Sequence, residues 1–124
     1  MVVFDTSVWI EYFKGNQDFQ KKAQNLLDSR EVYALEPIFG ELLQGALHKR
    51  EVEVILKFWK YLPKFELANL FIEAGELAYR EKLVSHGIRL VDASIILLAV
   101  ENKARLWTLD KKILRFLDEK YIYN

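Results

Sequence analysis

Four acidic residues have surroundings that a solvated carboxylate would not need. Asp5 interrupts the apolar run Val2–Ile10 together with the hydroxyls of Thr6 and Ser7, and Asp110 closes the run Arg105–Leu109 just after Thr108. Asp92 is the only charge in Leu90–Val100, and Glu41 lies on the border of an apolar arc formed by Ile38, Phe39, Leu42, Leu43 and Ala46. An isolated ionised carboxylate is very costly to bury and several together repel, so a shared pocket of them either takes up protons or holds a cation. Cys is absent and neither His48 nor His86 is near these acids in sequence. Oxygen ligands alone select a hard ion, Mg²⁺ or Mn²⁺. Such an ion makes hydroxide from bound water and stabilises the entering and leaving oxygens of a phosphodiester, so the expected chemistry is that of a nuclease.

Each acid also has a plainer reading when taken alone. Asp5, Asp92 and Asp110 suit helix N-termini, where a carboxylate accepts free N–H groups and meets the positive end of the helix dipole. Glu41 alone reads as a surface charge. The joint placement of all four favours a shared site.

The elements that must position these residues follow from periodicity. Val2–Ile10 reads as the first strand, buried and parallel, with Asp5 toward the end where open α/β sheets collect their chemistry. Trp9–Phe13 turns into a short helix that Gly15-Asn16 ends, and Asp18 caps a second helix burying Phe19, Ala23, Leu26 and Leu27. Val32–Leu35 reads as a second strand, followed by a helix that Pro37 opens and that carries Glu41 through an arc reaching Leu47. A helix from about Arg50 to Tyr61 buries Val52, Ile55, Leu56 and Trp59, and Pro63 closes it. Phe65–Ala68 reads as a short strand, and Leu70–Ser85 as a helix with Leu70, Ala74, Leu77, Ala78 and Val84 inward, terminated by Gly87. Leu90–Val100 is apolar on nearly all sides and therefore central. Arg105–Leu109 is a strand, Lys111–Leu117 the helix after it, and Tyr121–Tyr123 a last edge strand. Strands alternating with helices predict an α/β fold: a central parallel sheet flanked by helices in three layers.

Composition bounds the rest. At 124 residues with 52% hydrophobic content, and with no repeat, linker or low-complexity tract, residues 1–124 are expected to form one domain. Lys+Arg 18 against Asp+Glu 18 leaves no net charge, so any contact with a polyanion must come from local patches. Lys111, Lys112 and Arg115 stand beside the proposed site as a candidate rim for a nucleic-acid phosphate backbone, with Lys49, Arg50, Arg80 and Arg89 as further members. Thr6, Ser7 and Thr108 are supporting hydroxyls. His48 and His86 read as surface residues, and Trp9, Trp59 and Trp107 as core aromatics rather than base-stacking platforms. The longest apolar run, Ile95–Val100, is far below the ~20 residues of a membrane span. The expected location is the cytoplasm.

In these blocks the sequence resembles the PIN-domain ribonucleases, and among them the VapC-type toxins of toxin–antitoxin pairs. Val3–Ile10 is similar to the family's first strand with its Asp-Thr-Ser signature, and Glu41-Leu42-Leu43-Gln44-Gly45-Ala46 to its Glu-bearing helix. Val91–Ile96 and Leu106–Lys112 resemble the third and fourth acidic blocks, in the family's order. The resemblance implies Mg²⁺ or Mn²⁺ at Asp5, Glu41, Asp92 and Asp110, cleavage of RNA, frequent homodimers, and inhibition by a small antitoxin whose tail covers the site. Many such proteins carry a further acidic residue where Lys112 or Ile113 stands here. The competing readings are a catalytically silent PIN-like module that binds RNA or protein, and a PIN nuclease of RNA processing with no toxin role. A phosphoacceptor receiver domain would need an Asp on its middle strand, and Glu31–Glu66 contains none.

Overall fold

The first strand, β1 (Val2–Phe4), is wholly buried and sits between two parallel neighbours. On one side it pairs with β2 (Val32–Tyr33) in the register Val2↔Val32 and Val3↔Tyr33. On the other it pairs with β3 (Arg105–Trp107) through Val2↔Arg105, Val3↔Leu106 and Phe4↔Trp107. The structure, a computed structural model, describes residues 1–124. Its order is β1, α1 (Thr6–Phe13), α2 (Gln17–Asp28), β2, α3 (Glu36–Gln44), α4 (Lys49–Tyr61), α5 (Leu70–Arg80), a 3₁₀ turn (Leu83–His86), α6 (Leu90–Glu101), β3, α7 (Lys111–Phe116) and a last 3₁₀ turn (Glu119–Tyr121). The parallel sheet flanked by helices is the three-layer α/β/α arrangement that the alternation predicts.

The first strand is shorter than its apolar pattern suggests. It stops at Phe4 because Asp5, in extended conformation, caps α1: its carboxylate accepts from Thr6 N–H at 2.8 Å, and its carbonyl accepts from Val8 and Trp9. The Asp-Thr-Ser sequence is therefore a helix start, and Val8 and Trp9 are buried from a helix. The short helix does end at Gly15, which takes φ +78°. The following cap is Asn16 rather than Asp18, with Asn16 Oδ1 accepting from Asp18 N–H at 3.3 Å.

Neither proposed edge strand forms. Near Phe65–Ala68 one parallel bridge, Ala34↔Lys64, extends the sheet, and near Tyr121–Tyr123 one bridge, Leu106↔Ile122, does the same. Each segment meets the sheet at a single parallel bridge and makes one or two backbone bonds there, such as Ala34 N–H to Pro63 O at 2.8 Å and Tyr123 N–H to Leu106 O at 3.0 Å. Two helical arcs also end early. Leu47 lies beyond α3 and is 87% exposed, and Leu56 is exposed on α4, where Ile55 faces inward. The helix expected through Ser85 breaks at Lys82, in left-handed conformation at φ 54°, and the 3₁₀ turn after it leaves Val84 exposed. Gly87 closes that turn at φ +75°.

The core is one cluster of 29 buried residues. Helix α6 supplies Ala93 through Ala99 to it and packs against α5, α3 and β3. Its one buried hydroxyl, Ser94, donates to Val91 O at 2.6 Å and so leaves no unpaired group. Trp9 stands at the centre of an aromatic group with Phe4, Tyr12, Phe39 and Phe58 at centroid distances of 5.1–5.9 Å. Trp107 is buried beside Phe4, while Trp59 is half-buried on α4.

Candidate active site

Because β1 and β3 run parallel as neighbours, their carboxyl ends lie side by side, and the residues that follow each strand meet. Asp5 N–H continues the ladder by donating to Trp107 O at 2.9 Å. One residue on, Thr108 is buried and its hydroxyl donates to Asp5 Oδ2 at 2.6 Å. The same Thr108 oxygen accepts from Asp110 N–H at 3.1 Å, and Ser7 Oγ accepts from Leu109 N–H at 3.3 Å. On the other side of Asp5, Thr6 Oγ1 donates to Glu41 Oε1 at 2.7 Å. The three hydroxyls thus tie α1, α3 and the β3–α7 connection together around Asp5.

Asp5 is 6% exposed. Burial pushes its carboxyl above the ordinary value, the bonds from Thr108 and Thr6 pull it down, and the charges of Glu41 and Asp110 push it up again. Asp92, half-buried in the first turn of α6, is raised as well. Burial is again the main cause, followed by the negative charges of Asp5 and Asp110, while an Arg89 backbone N–H and the Lys112 ammonium work the other way. Asp5 is therefore the hub: Glu41, Asp92 and Asp110 are all within electrostatic reach of it. None of the four is neutralised by an ion pair, since the two ion pairs of the molecule are Lys14–Glu11 at 3.9 Å and His48–Glu51 at 3.4 Å.

The plainer readings of these acids hold in part. Asp5 caps α1, and Asp110 caps α7 by accepting from Lys112 N–H at 2.8 Å. Asp92 is not the N-cap of α6, where Arg89 stands, but lies in its first turn facing the Arg89 N–H, and Glu41 is half-buried and bonded to Thr6 rather than a free surface charge. A cap and a cluster member are compatible roles, because a carboxylate has lone pairs left after accepting one N–H.

The donor set is all oxygen, from carboxylates and hydroxyls, and suits a hard divalent cation. In this conformation no three acidic side chains stand close enough together to enclose an ion. Asp5 and Asp92, the two acids that burial disfavours as anions, are the ones such a cation would relieve most; Glu41 and Asp110 flank them.

Of the proposed rim, Lys111, Lys112, Arg115, Arg89, Lys49, Arg50 and Arg80 are all exposed. Lys112 is the one whose charge reaches an acid of the site. Arg50 lines a groove that also contains Glu41, whereas Arg80 lies with Phe71, Ile72 and Tyr79 on the outer face of α5, apart from the acids. His48 is exposed and caps α4, and His86 is exposed beside Phe116.

The groove itself went unread in the sequence. It has a volume of about 580 Å³ and runs from Glu41 between α1, the end of α3 and the start of α4, with Ile10, Phe13, Leu47 and Val54 on its walls. These four are among the exposed large hydrophobic residues of the molecule. The available signal was an apolar pair at helical spacing, Ile10 and Phe13, on the side of α1 next to Trp9, whose ring Phe13 stacks against at 5.6 Å.

The family model for the PIN domain matches residues 2–118, a span that includes all four acids. The chain belongs to the PIN-domain family. Among curated relatives of this PIN-domain protein, Ribonuclease VapC32 of Mycobacterium tuberculosis, in strains CDC 1551 / Oshkosh and ATCC 25618 / H37Rv, is 31% identical over 114 residues. The match covers 91% of this chain and 87% of the relative.

Proposed function

We propose that this PIN-domain protein is a metal-dependent endoribonuclease, and that it serves as the toxin of a toxin–antitoxin pair. The observation that carries the reading is the cluster centred on Asp5: four carboxylates, three at the starts of α1, α6 and α7 and one within α3, two of them raised by burial and mutual repulsion, with no cationic side chain paired to any. Capping uses one oxygen each of Asp5 and Asp110 and leaves the gathered negative charge unbalanced, whereas a divalent cation would supply the missing charge and turn water into a nucleophile. The relative's name, a ribonuclease, points to RNA as the backbone cleaved.

In that chemistry Asp5, Glu41, Asp92 and Asp110 would hold Mg²⁺ or Mn²⁺. Asp5 is fixed by Thr108 and Thr6, so its carboxylate cannot turn away; Thr6 orients Glu41 in the same way. The partner reading is supported by the apolar groove leading to Glu41, which suits an amphipathic segment of a small antitoxin whose Arg could reach the acids. Self-association to a homodimer is supported by Phe71, Ile72 and Tyr79 exposed together on α5. No helix is long and apolar enough to cross a membrane, and the cytoplasm, where RNA and antitoxin are made, is the proposed location.

The test is cleavage of a folded RNA by purified protein in Mg²⁺ or Mn²⁺ and in excess chelator. Cleavage is expected with metal and should vanish without it; equal cleavage in both would remove the metal from the mechanism. Asp92→Asn that binds RNA but does not cut is expected, and an uncut RNA with the wild type under every metal would point to a silent binding module.

A further inference from the structure

Lys112 is the basic residue that the fold steers toward the acids. Its backbone N–H is held 2.8 Å from the Asp110 carboxylate, which fixes the start of α7 and the direction in which the side chain leaves. The stem then passes over Gly87. A Cβ at Gly87 would stand 2.9 Å from Lys112 Cδ, a distance at which one of the two must move. Gly87 is in left-handed conformation and lies in the turn that feeds α6, whose first turn carries Asp92. The glycine therefore meets two demands, a positive φ and a bare face for the lysine stem.

The ammonium so delivered is in no contact ion pair. An acidic cleft repels an RNA strand, and an exposed cation whose charge reaches Asp92 without a contact ion pair remains free for a phosphate. We propose that Lys112, laid across Gly87, binds a backbone phosphate of the RNA strand beside the carboxylates. The assignment rests on the RNA reading above. It makes Lys112 a substrate-binding residue and Gly87 the residue that positions it.

The experiment is binding of a single-stranded oligoribonucleotide, followed by fluorescence anisotropy over a salt series in chelator so that nothing is cut. Lys112→Gln should flatten the dependence of log affinity on log salt by about 0.7, the share of one phosphate contact on a single strand. Lys112→Arg should keep the wild-type slope, and Lys120→Gln, on an exposed lysine over Tyr121, should leave it unchanged. Gly87→Ala should behave like Lys112→Gln, and the double variant should add nothing further. Lys112 is exposed, so its variants carry the test even where Gly87→Ala fails to fold. In Mg²⁺, Lys112→Gln should raise KM more than it lowers kcat. A wild-type slope in Lys112→Gln would overturn the proposal and leave the lysine as a counter-charge of the acids. If the wild type cuts no RNA but Lys112→Gln still flattens the slope, the nuclease reading fails and the phosphate contact stands. No RNA binding by the wild type overturns both.

Discussion

Asp92 carries the sharpest test at the scale of one residue, because it is raised like Asp5 but, unlike Asp5, is not the N-cap residue of its helix. An acid whose folded pKa lies above its ordinary value of 3.8 adds stability that is complete below that value and is lost as pH climbs through the raised one. Charged Asp92 therefore opposes folding at neutral pH. Asp92→Asn should melt higher than the wild type at neutral pH in chelator, and the gap should close as pH falls below 3.8. Cation binding to the folded state should stabilise the wild type by on the order of 1–3 kcal/mol well above the dissociation constant, raising its melting point, and should stabilise Asp92→Asn much less. Thermal unfolding across pH, with and without Mg²⁺, measures all of this; a variant that melts lower in chelator would show Asp92 to be a supporting group of α6. A second residue, Thr108, gives the opposite sign. Thr108→Val keeps the shape but takes away the donor at 2.6 Å from Asp5, and should lower stability by about 1–3 kcal/mol at neutral pH. That loss should shrink in acid, where Asp5 is protonated and needs the donor less.

At the scale of elements, what could be read in the sequence was whatever depends on local pattern. Helix α6 is apolar all round and is central; Pro37, Gly15 and Gly87 mark the boundaries that their backbone preferences demand. The four acids were visible because each breaks an apolar pattern. The end of β1 was not, since Val8, Trp9 and Ile10 suit a buried strand as well as a buried helix face, and only the capping geometry of Asp5 decides between them. Bonds across the chain were equally hidden. Thr108 and Asp5 are 103 positions apart, Thr6 and Glu41 are 35 apart, and no periodicity encodes their meeting. The path of Lys112 over Gly87 is of the same kind: Gly87 was legible as a helix stop, but its second demand comes from a residue on another helix.

For the molecule as a whole, the exposed apolar residues fall into two groups, one on α5 and one along the groove beside Glu41. They should have different occupants. Ile72→Glu, in the α5 group, is expected to shift the protein from dimer to monomer by light scattering while cleavage persists, and an unchanged mass would move the dimer elsewhere. Phe13→Glu, in the groove group, is expected to leave the mass alone and to weaken inhibition by a co-encoded antitoxin. A further consequence comes from the order of the sheet. Its central strand, β1, is made first, while β3, which supplies the register for Phe4 and the donor for Asp5, follows a hundred residues later. During synthesis Asp5 lacks the Trp107 carbonyl and the Thr108 hydroxyl that fix it until β3 and the residue after it have been made. On the proposed function, a growing chain should be unable to cut RNA before Thr108 and Asp110 are made, which would give a partner protein time to be present first. Chains stopped at Ala104, which lack Trp107, should show no protected amide on Asp5 by hydrogen exchange, and should cut nothing.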